Sequence, residues 1–195
     1  MARKISGSAK IKDAWKRIAR WYKVNVPADQ FSLADGASAE AIAVAEAQLG
    51  LSFPQDLVAS YHLHNGSNDC AVFLYGYAYL SLSELVQQWG FWQKIIQDGG
   101  LGGVEPNCPE AIKRIWWNLK WIPFSHNGGG DHHCVDLDPA EGGAVGQVIQ
   151  FNHEVGAHSL LGPDFGTFLR TYATDLEAGR YRFDETDLWV IDRIE

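Results

Sequence analysis

The densest set of side chains able to do chemistry is Ser125-His126-Asn127-Gly128-Gly129-Gly130-Asp131-His132-His133, followed by Asp136 and Asp138. Imidazoles and carboxylates ligate metal ions, and glycines let a backbone come close to a ligand. A metal-dependent hydrolase would draw on His126, Asp131, His132 and Asp136. A strand over 133–137 argues against it, because His133 would then face away from His132 and Asp136, and the cluster could converge only through a special bend. Asp136, Asp138 and Glu141 resemble part of a calcium loop, but Pro139 and Ala140 stand where a ligand and its spacer belong. A glycine-rich hairpin turn and an Asx-type turn at Asp138-Pro139 account for the same residues without any ligand. No metal and no cofactor is expected.

Other candidates weaken on spacing. His153-Glu154-Val155-Gly156-Ala157-His158 is HExxxH, one residue longer than the zinc-protease motif, and five residues of helix would turn the second histidine off the face of the first. His62 and His64 stand two apart near a helix end and do not share a face. The phosphate-cradling GxxxxGK[ST], the dinucleotide GxGxxG and the nucleophile-elbow GxSxG are all missing from the sequence. Nothing pairs a nucleophile with a base, so the chain is expected not to be an enzyme.

The elements that would position these residues follow from periodicity. Ile11, Trp15, Ile18 and Tyr22 predict an amphipathic helix over 11–23 whose other face is basic, packed by its aromatic face on the body. Ser38 is an N-cap for a second helix that buries Ile42, Ala45 and Leu49 and stops at Gly50; Pro54 opens a third, ended by Asn65-Gly66. Residues 71–80 read as a strand with a glycine break. Ser81-Leu82-Ser83-Glu84 is a capping box for a helix carrying Leu85, Trp89, Trp92 and Ile96, and Gly99–Gly103 reads as a joint. Pro109 predicts a further helix to about Trp117. Residues 121–124, 133–137, 145–151 and 155–161 are short strands with glycine-rich turns, which pair antiparallel. Pro163 begins a last helix with Phe165, Phe168, Leu169, Tyr172 and Leu176 inward. The acidic stretch 180–195 adds a strand or packs Trp189 on the body. Helices first, strands in the middle and a closing helix predict one α+β domain over 24–195, preceded by a basic helical arm over 1–23.

Charge divides the chain at the same place. Residues 1–23 hold eight basic side chains (Arg3, Lys4, Lys10, Lys12, Lys16, Arg17, Arg20 and Lys23) against Asp13, so residues 24–195 carry a net −15 out of the overall −8. Such a body repels nucleic acid and anionic membrane, and would steer a basic protein partner toward it. Cys70, Cys108 and Cys134 include no CxxC pair and are odd in number, which suits a reducing cytoplasm. No apolar run approaches a membrane span or a secretory leader.

Ordered motifs add a resemblance. Gly50-Leu51-Ser52-Phe53-Pro54-Gln55-Asp56-Leu57, then Ser60-Tyr61 and His64-Asn65-Gly66, resemble the opening run of the SUKH superfamily, which includes the SMI/KNR cell-wall-synthesis regulators. Trp121-Ile122-Pro123-Phe124, Gly130-Asp131 and Val135-Asp136-Leu137-Asp138-Pro139 resemble its centre. Gly146-Gln147-Val148-Ile149 and Asp164-Phe165 to Leu169 resemble its close. The likeness covers residues 14–181; the basic N-terminal stretch, the tryptophan-rich segment 89–121 and His132-His133 depart from it. It implies an α+β domain with a mostly antiparallel sheet flanked by helices, and a protein-binding rather than catalytic role. The leading expectation is an immunity protein that neutralises a cognate toxin domain, a basic one by charge; the alternative is a regulatory scaffold in cell-wall synthesis or signalling. The residues expected to bind are Asp131, His132, Asp136, Asp138, Asn65 and Trp121.

Overall fold

Five apolar positions decide where the first helix sits. In the computed structural model, which describes residues 7–68, 73–100, 105–186 and 189–192, α1 (Gly7–Asn25) buries Ile11, Ala14, Trp15, Ile18 and Tyr22. It begins four residues earlier than its aromatic spacing predicts, and packs against α3 (Gln55–Tyr61) and α5 (Phe165–Glu177). Its basic face points outward, with Lys10, Lys12, Lys16, Arg20 and Lys23 exposed and Arg17 paired to Glu177 at 2.6 Å. The helix is thus part of the core through one stripe and a charged surface through the other.

Most predicted caps form as local chemistry requires, but α3 stops at Tyr61 with His62 after it, short of the end expected at Asn65-Gly66. Ser38 accepts a hydrogen bond from the Ala41 amide at the start of α2 (Ala39–Leu49), and Gly50 closes it at φ 67°. A side chain there would be strained, which is why glycine stands at that stop. Ser81 and Glu84 make both halves of the capping box of α4 (Leu82–Gln97), and Asp164 caps α5.

Four strands make the main sheet: β2 (Trp121–Pro123), β4 (His132–Asp136), β5 (Gln147–Asn152) and β6 (Gly156–Gly162), antiparallel in the order β2-β4-β5-β6. Two short pairs flank it, β1 (Ala78–Tyr79) with β3 (Ser125–His126), and β7 (Tyr181–Asp184) with β8 (Trp189–Asp192). In the register of β4 with β5, His132 lies opposite Phe151 and His133 opposite Gln150. Strand alternation then sends His132 and Phe151 to one face and His133 and Gln150 to the other. Trp92 of α4 contacts the first pair, and Phe168 of α5 contacts His133, so the two helices cover opposite faces. This is the single α+β domain, with a mostly antiparallel sheet flanked by helices, that the sequence predicts.

Two expected elements differ. Residues 71 and 72 of the strand expected over 71–80 lie outside the described residues, and of the rest only Ala78–Tyr79 is strand, because Leu74, Tyr75 and Gly76 take positive φ (45°, 61° and 95°) and turn the chain. The helix expected from Pro109 to Trp117 is an irregular segment. The Ala111 carbonyl is taken by the Ala140 amide and the Gln147 side chain, and the adjacent indoles of Trp116 and Trp117 are both buried. A helix would keep that carbonyl for itself and could not bury two consecutive indoles on one stripe. Cys70, Arg3, Lys4, residues 101–103 of the joint and the packing of the Trp189 side chain lie outside the described residues.

Candidate functional site

The sequence's polar cluster resolves into three separate structural jobs. Asn127 accepts hydrogen bonds from the amides of Gly129 and Asp131 through its Oδ1, which is the expected glycine-rich turn between β3 and β4. Asp131 ties that turn to the next one. It accepts from the His153 amide (2.9 Å), the His153 ring (2.7 Å), Asn127 Nδ2 and Asn152 Nδ2. Partial burial opposes its ionisation, but those donors together hold the carboxyl below its ordinary range.

His132 is enclosed and both ring nitrogens are committed. Its Nδ1 bonds the Ser125 carbonyl at 2.8 Å, so Nδ1 carries the proton, and its Nε2 accepts the indole N–H of Trp92 at 2.8 Å. Burial pushes its pKa down to about 3, so the ring is neutral near pH 7. An imidazole with both nitrogens bonded cannot ligate a metal without breaking one of those core bonds. Around it Trp92, Trp116, Trp117, Trp121 and Phe151 form an aromatic cluster.

Asp136 is buried beside Gln147, whose Nε2 donates to it at 2.9 Å, and burial raises its pKa. Its Oδ1 also accepts from the Asp138 amide, so the Asx turn expected at Asp138-Pro139 is instead made by Asp136, two residues earlier. The reason is reach: the Asp138 carboxylate turns outward to Lys113 at 2.6 Å and to Asn118. Lys113 first, then Asn118, holds the Asp138 carboxyl below its usual value. Asn65 accepts from the Leu82 amide at the start of α4, and Trp121 is fully enclosed. The six residues expected to bind are therefore dispersed: Asp131 in a turn, His132, Asp136 and Trp121 in the core, Asp138 at a surface ion pair, and Asn65 under a helix start. Among the described residues no three His, Cys, Asp or Glu side chains converge as a metal cage.

His153 and His158 also part company. His153 sits in the turn before β6 and His158 lies within it, so the HExxxH run is turn and strand. His62 and His64 bond the carbonyls of Ala37 and Ala34 and pin the loop before α2.

On the other face of the sheet, a cavity of about 420 Å³ lies between β4, β5, β6 and α5. Tyr75, His133, Gln150, Leu160, Leu161 and Phe168 line it. His133 is only 2% exposed, burial drives its pKa to about 3, and its Nδ1 is enclosed without a hydrogen-bond partner among the described residues. A buried polar atom left unpaired costs on the order of 1–3 kcal/mol. The Tyr77 ring lies tilted against that of His133, centroids 4.0 Å apart, and its hydroxyl bonds Gln150. Tyr75 enters the wall from its strained backbone and donates to Asp175 at 3.2 Å. A non-glycine residue at positive φ costs roughly 1–2 kcal/mol, which the packing of Tyr75 on Tyr172 and Phe168 offsets. This set has little signature in the sequence. The available signal was Gln150, a lone polar side chain inside the apolar run Val148-Ile149-Gln150-Phe151.

A protein-family model described as SMI1 / KNR4 family (SUKH-1) matches residues 36–171. The chain is also similar to the cell wall assembly regulator SMI1 of Saccharomyces cerevisiae, 26% identical over 89% of this chain and 42% of that protein. The glucan synthesis regulatory protein of Neurospora crassa is 26% identical over 90% of this chain and 40% of its own length. The cell wall biosynthesis/cell cycle regulator smi1 of Schizosaccharomyces pombe is 25% identical over 91% and 38%. The chain thus spans about two-fifths of the length of these curated relatives.

Proposed function

The chain belongs to the SMI1/KNR4 family (SUKH-1), and on that premise we propose that it is a non-catalytic, protein-binding regulatory module acting in cell-wall or glucan synthesis. The observation that carries this reading is the similarity along nine-tenths of the chain to fungal proteins named as regulators of wall assembly and glucan synthesis. Those names favour the regulatory alternative over the toxin-immunity expectation, and a toxin partner is left without support. The dispersal of the Asp and His side chains into turns and core bonds is consistent with binding rather than chemistry.

The partner is proposed to be a protein. The chain carries a net −8, so a basic surface fits by charge away from the basic face of α1. Among the described residues no helix is long and apolar enough to cross a membrane, and the cytoplasm is the compartment we propose.

A chimera tests the reading. The matched region of the Saccharomyces cerevisiae regulator is replaced by this chain in a strain lacking that protein, and wall glucan is measured. Restored glucan content is expected. A chimera that is folded and present at normal level, yet leaves glucan as in the deletion strain, would contradict it.

A further inference from the structure

We propose that the cavity beside His133 is the docking pocket for an extended, basic peptide segment of the partner, which adds as a strand along β6 and seats one aromatic side chain with a polar tip. This deepens the protein-binding reading and rests on it.

Three independent features meet there. The first is the pocket itself: Leu160, Leu161 and Phe168 give apolar walls, and His133 and Gln150 supply hydrogen-bonding groups. His133 is the part that lacks a partner, since Nδ1 bonds nothing among the described residues. A neutral imidazole offers one donor and one acceptor, which suits an uncharged phenol or indole tip better than a carboxylate. A purely aliphatic side chain would leave the ring as it is.

The second feature is an open sheet edge. β6 has β5 on one side and no strand on the other among the described residues. Leu160 is 44% exposed at that edge, with His158, Ser159 and Leu161 half-buried around it. Unpaired edge amides and carbonyls are a template for one more strand, and alternate side chains of the added strand then face the pocket side. The pairing of β5 with β6 shifts register between Val148 and Ile149 and again between Gln150 and Phe151. Such irregularities bend a strand and re-aim its side chains.

The third is backbone strain. Leu74 and Tyr75 are both at positive φ, and the turn they make sets Tyr75 in the pocket wall. Strain of this kind persists where the surrounding structure holds it, and it gathers at ligand-binding places. Basic flanks on the peptide follow from the net −8 of the chain.

The test uses the full chain, isotope-labelled, with pools of terminally blocked nonapeptides. Their flanks are randomised over Thr, Val, Lys and Arg, and the central residue is fixed as Tyr, Trp, Leu or Ala. The Tyr or Trp pool should shift the amides of residues 158–161 and the ring of His133. That binding should be at least about tenfold tighter than for the Ala pool, a difference of about 1.4 kcal/mol. Leu160→Asp, at an exposed position that should leave the fold intact, should weaken it by a similar factor. His133→Leu should erase the preference of Tyr over Leu while keeping apolar binding.

No shift at β6 with any pool would overturn the proposal. So would blocked tyrosine amide binding as tightly as the peptides, which would mean a small-molecule pocket without strand addition. The chimera separates the two readings. Restored glucan without peptide binding at β6 overturns the peptide site alone. Peptide binding with no restored glucan overturns the wall-regulation reading alone.

Discussion

Trp92 donates its indole N–H to Nε2 of His132 across 2.8 Å, in a core closed to water, and this bond fixes both the helix and the tautomer. α4 and β4 are forty residues apart in sequence at that contact, so the bond is a tertiary clamp. With Nδ1 already given to the Ser125 carbonyl, Nε2 has no other role available.

Trp92→Phe keeps an aromatic ring in place but strands the Nε2 acceptor. A buried acceptor left unmade costs about 1–3 kcal/mol. Urea denaturation should show that loss, and a double-mutant cycle with His132→Phe should give a pair less destabilised than the sum of the singles. Strict additivity would mean that the bond contributes nothing.

The stability profile in acid follows from two histidines. Burial depresses both His132 and His133 to about 3, below the ordinary value near 6.5. Between those values the unfolded chain binds protons that the fold refuses, so their contribution is full above about pH 6.5 and falls as pH drops toward 3. Each unmatched proton removes up to about 1.4 kcal/mol per pH unit. The denaturation midpoint should therefore decline from pH 6.5 to pH 4, and His133→Phe should flatten that decline. An unaltered slope in the variant would place the sensitivity elsewhere.

Metal addition should do nothing. The nitrogens of His132 are both bonded, and Asp131 and Asp136 are engaged in separate networks. A metal that binds the native state raises its melting temperature by mass action. Zinc or manganese in excess should leave the melting temperature unchanged. A saturable rise that disappears in His132→Phe would show that the cluster does bind a cation.

Charge steering predicts a salt effect on association. If the acidic body attracts a basic partner, the on-rate should fall between 50 and 500 mM salt, as the Debye length contracts about threefold, while the off-rate changes less. Equal on-rates across that range would remove the electrostatic part of the account.

Local signals carried most of the fold. Ser38, Gly50 and the Ser81–Glu84 box act within a few residues of themselves, so they could be read directly and stand as predicted. The aromatic stripe of α1 was legible for the same reason. The segment 109–117 was not, because the fate of the Ala111 carbonyl depends on Ala140 and on Gln147, thirty-six residues away. Extension across 73–77 failed for a related reason: apolar and aromatic residues suggest it, whereas Leu74 and Tyr75 are held at positive φ by what they pack against.

The site was the least legible part. His126, Asp131, His132 and Asp136 attract notice because their types can ligate, yet side-chain type says nothing of whether a nitrogen is already bonded. The separation of His132 from His133 by strand alternation was predictable and stands. That Nδ1 of the second ring has no partner among the described residues, beside a cavity, depends on α5 and β6, which no local pattern reveals.

The central claim is that this chain works by holding another protein. Tagged chain recovered from its native cells, with co-purifying proteins identified and their stoichiometry measured, tests it most directly. The account predicts a near-stoichiometric complex with a protein of wall or glucan synthesis or its regulation. Recovery of the chain alone, or a complex with a toxin domain encoded beside it, would contradict that claim.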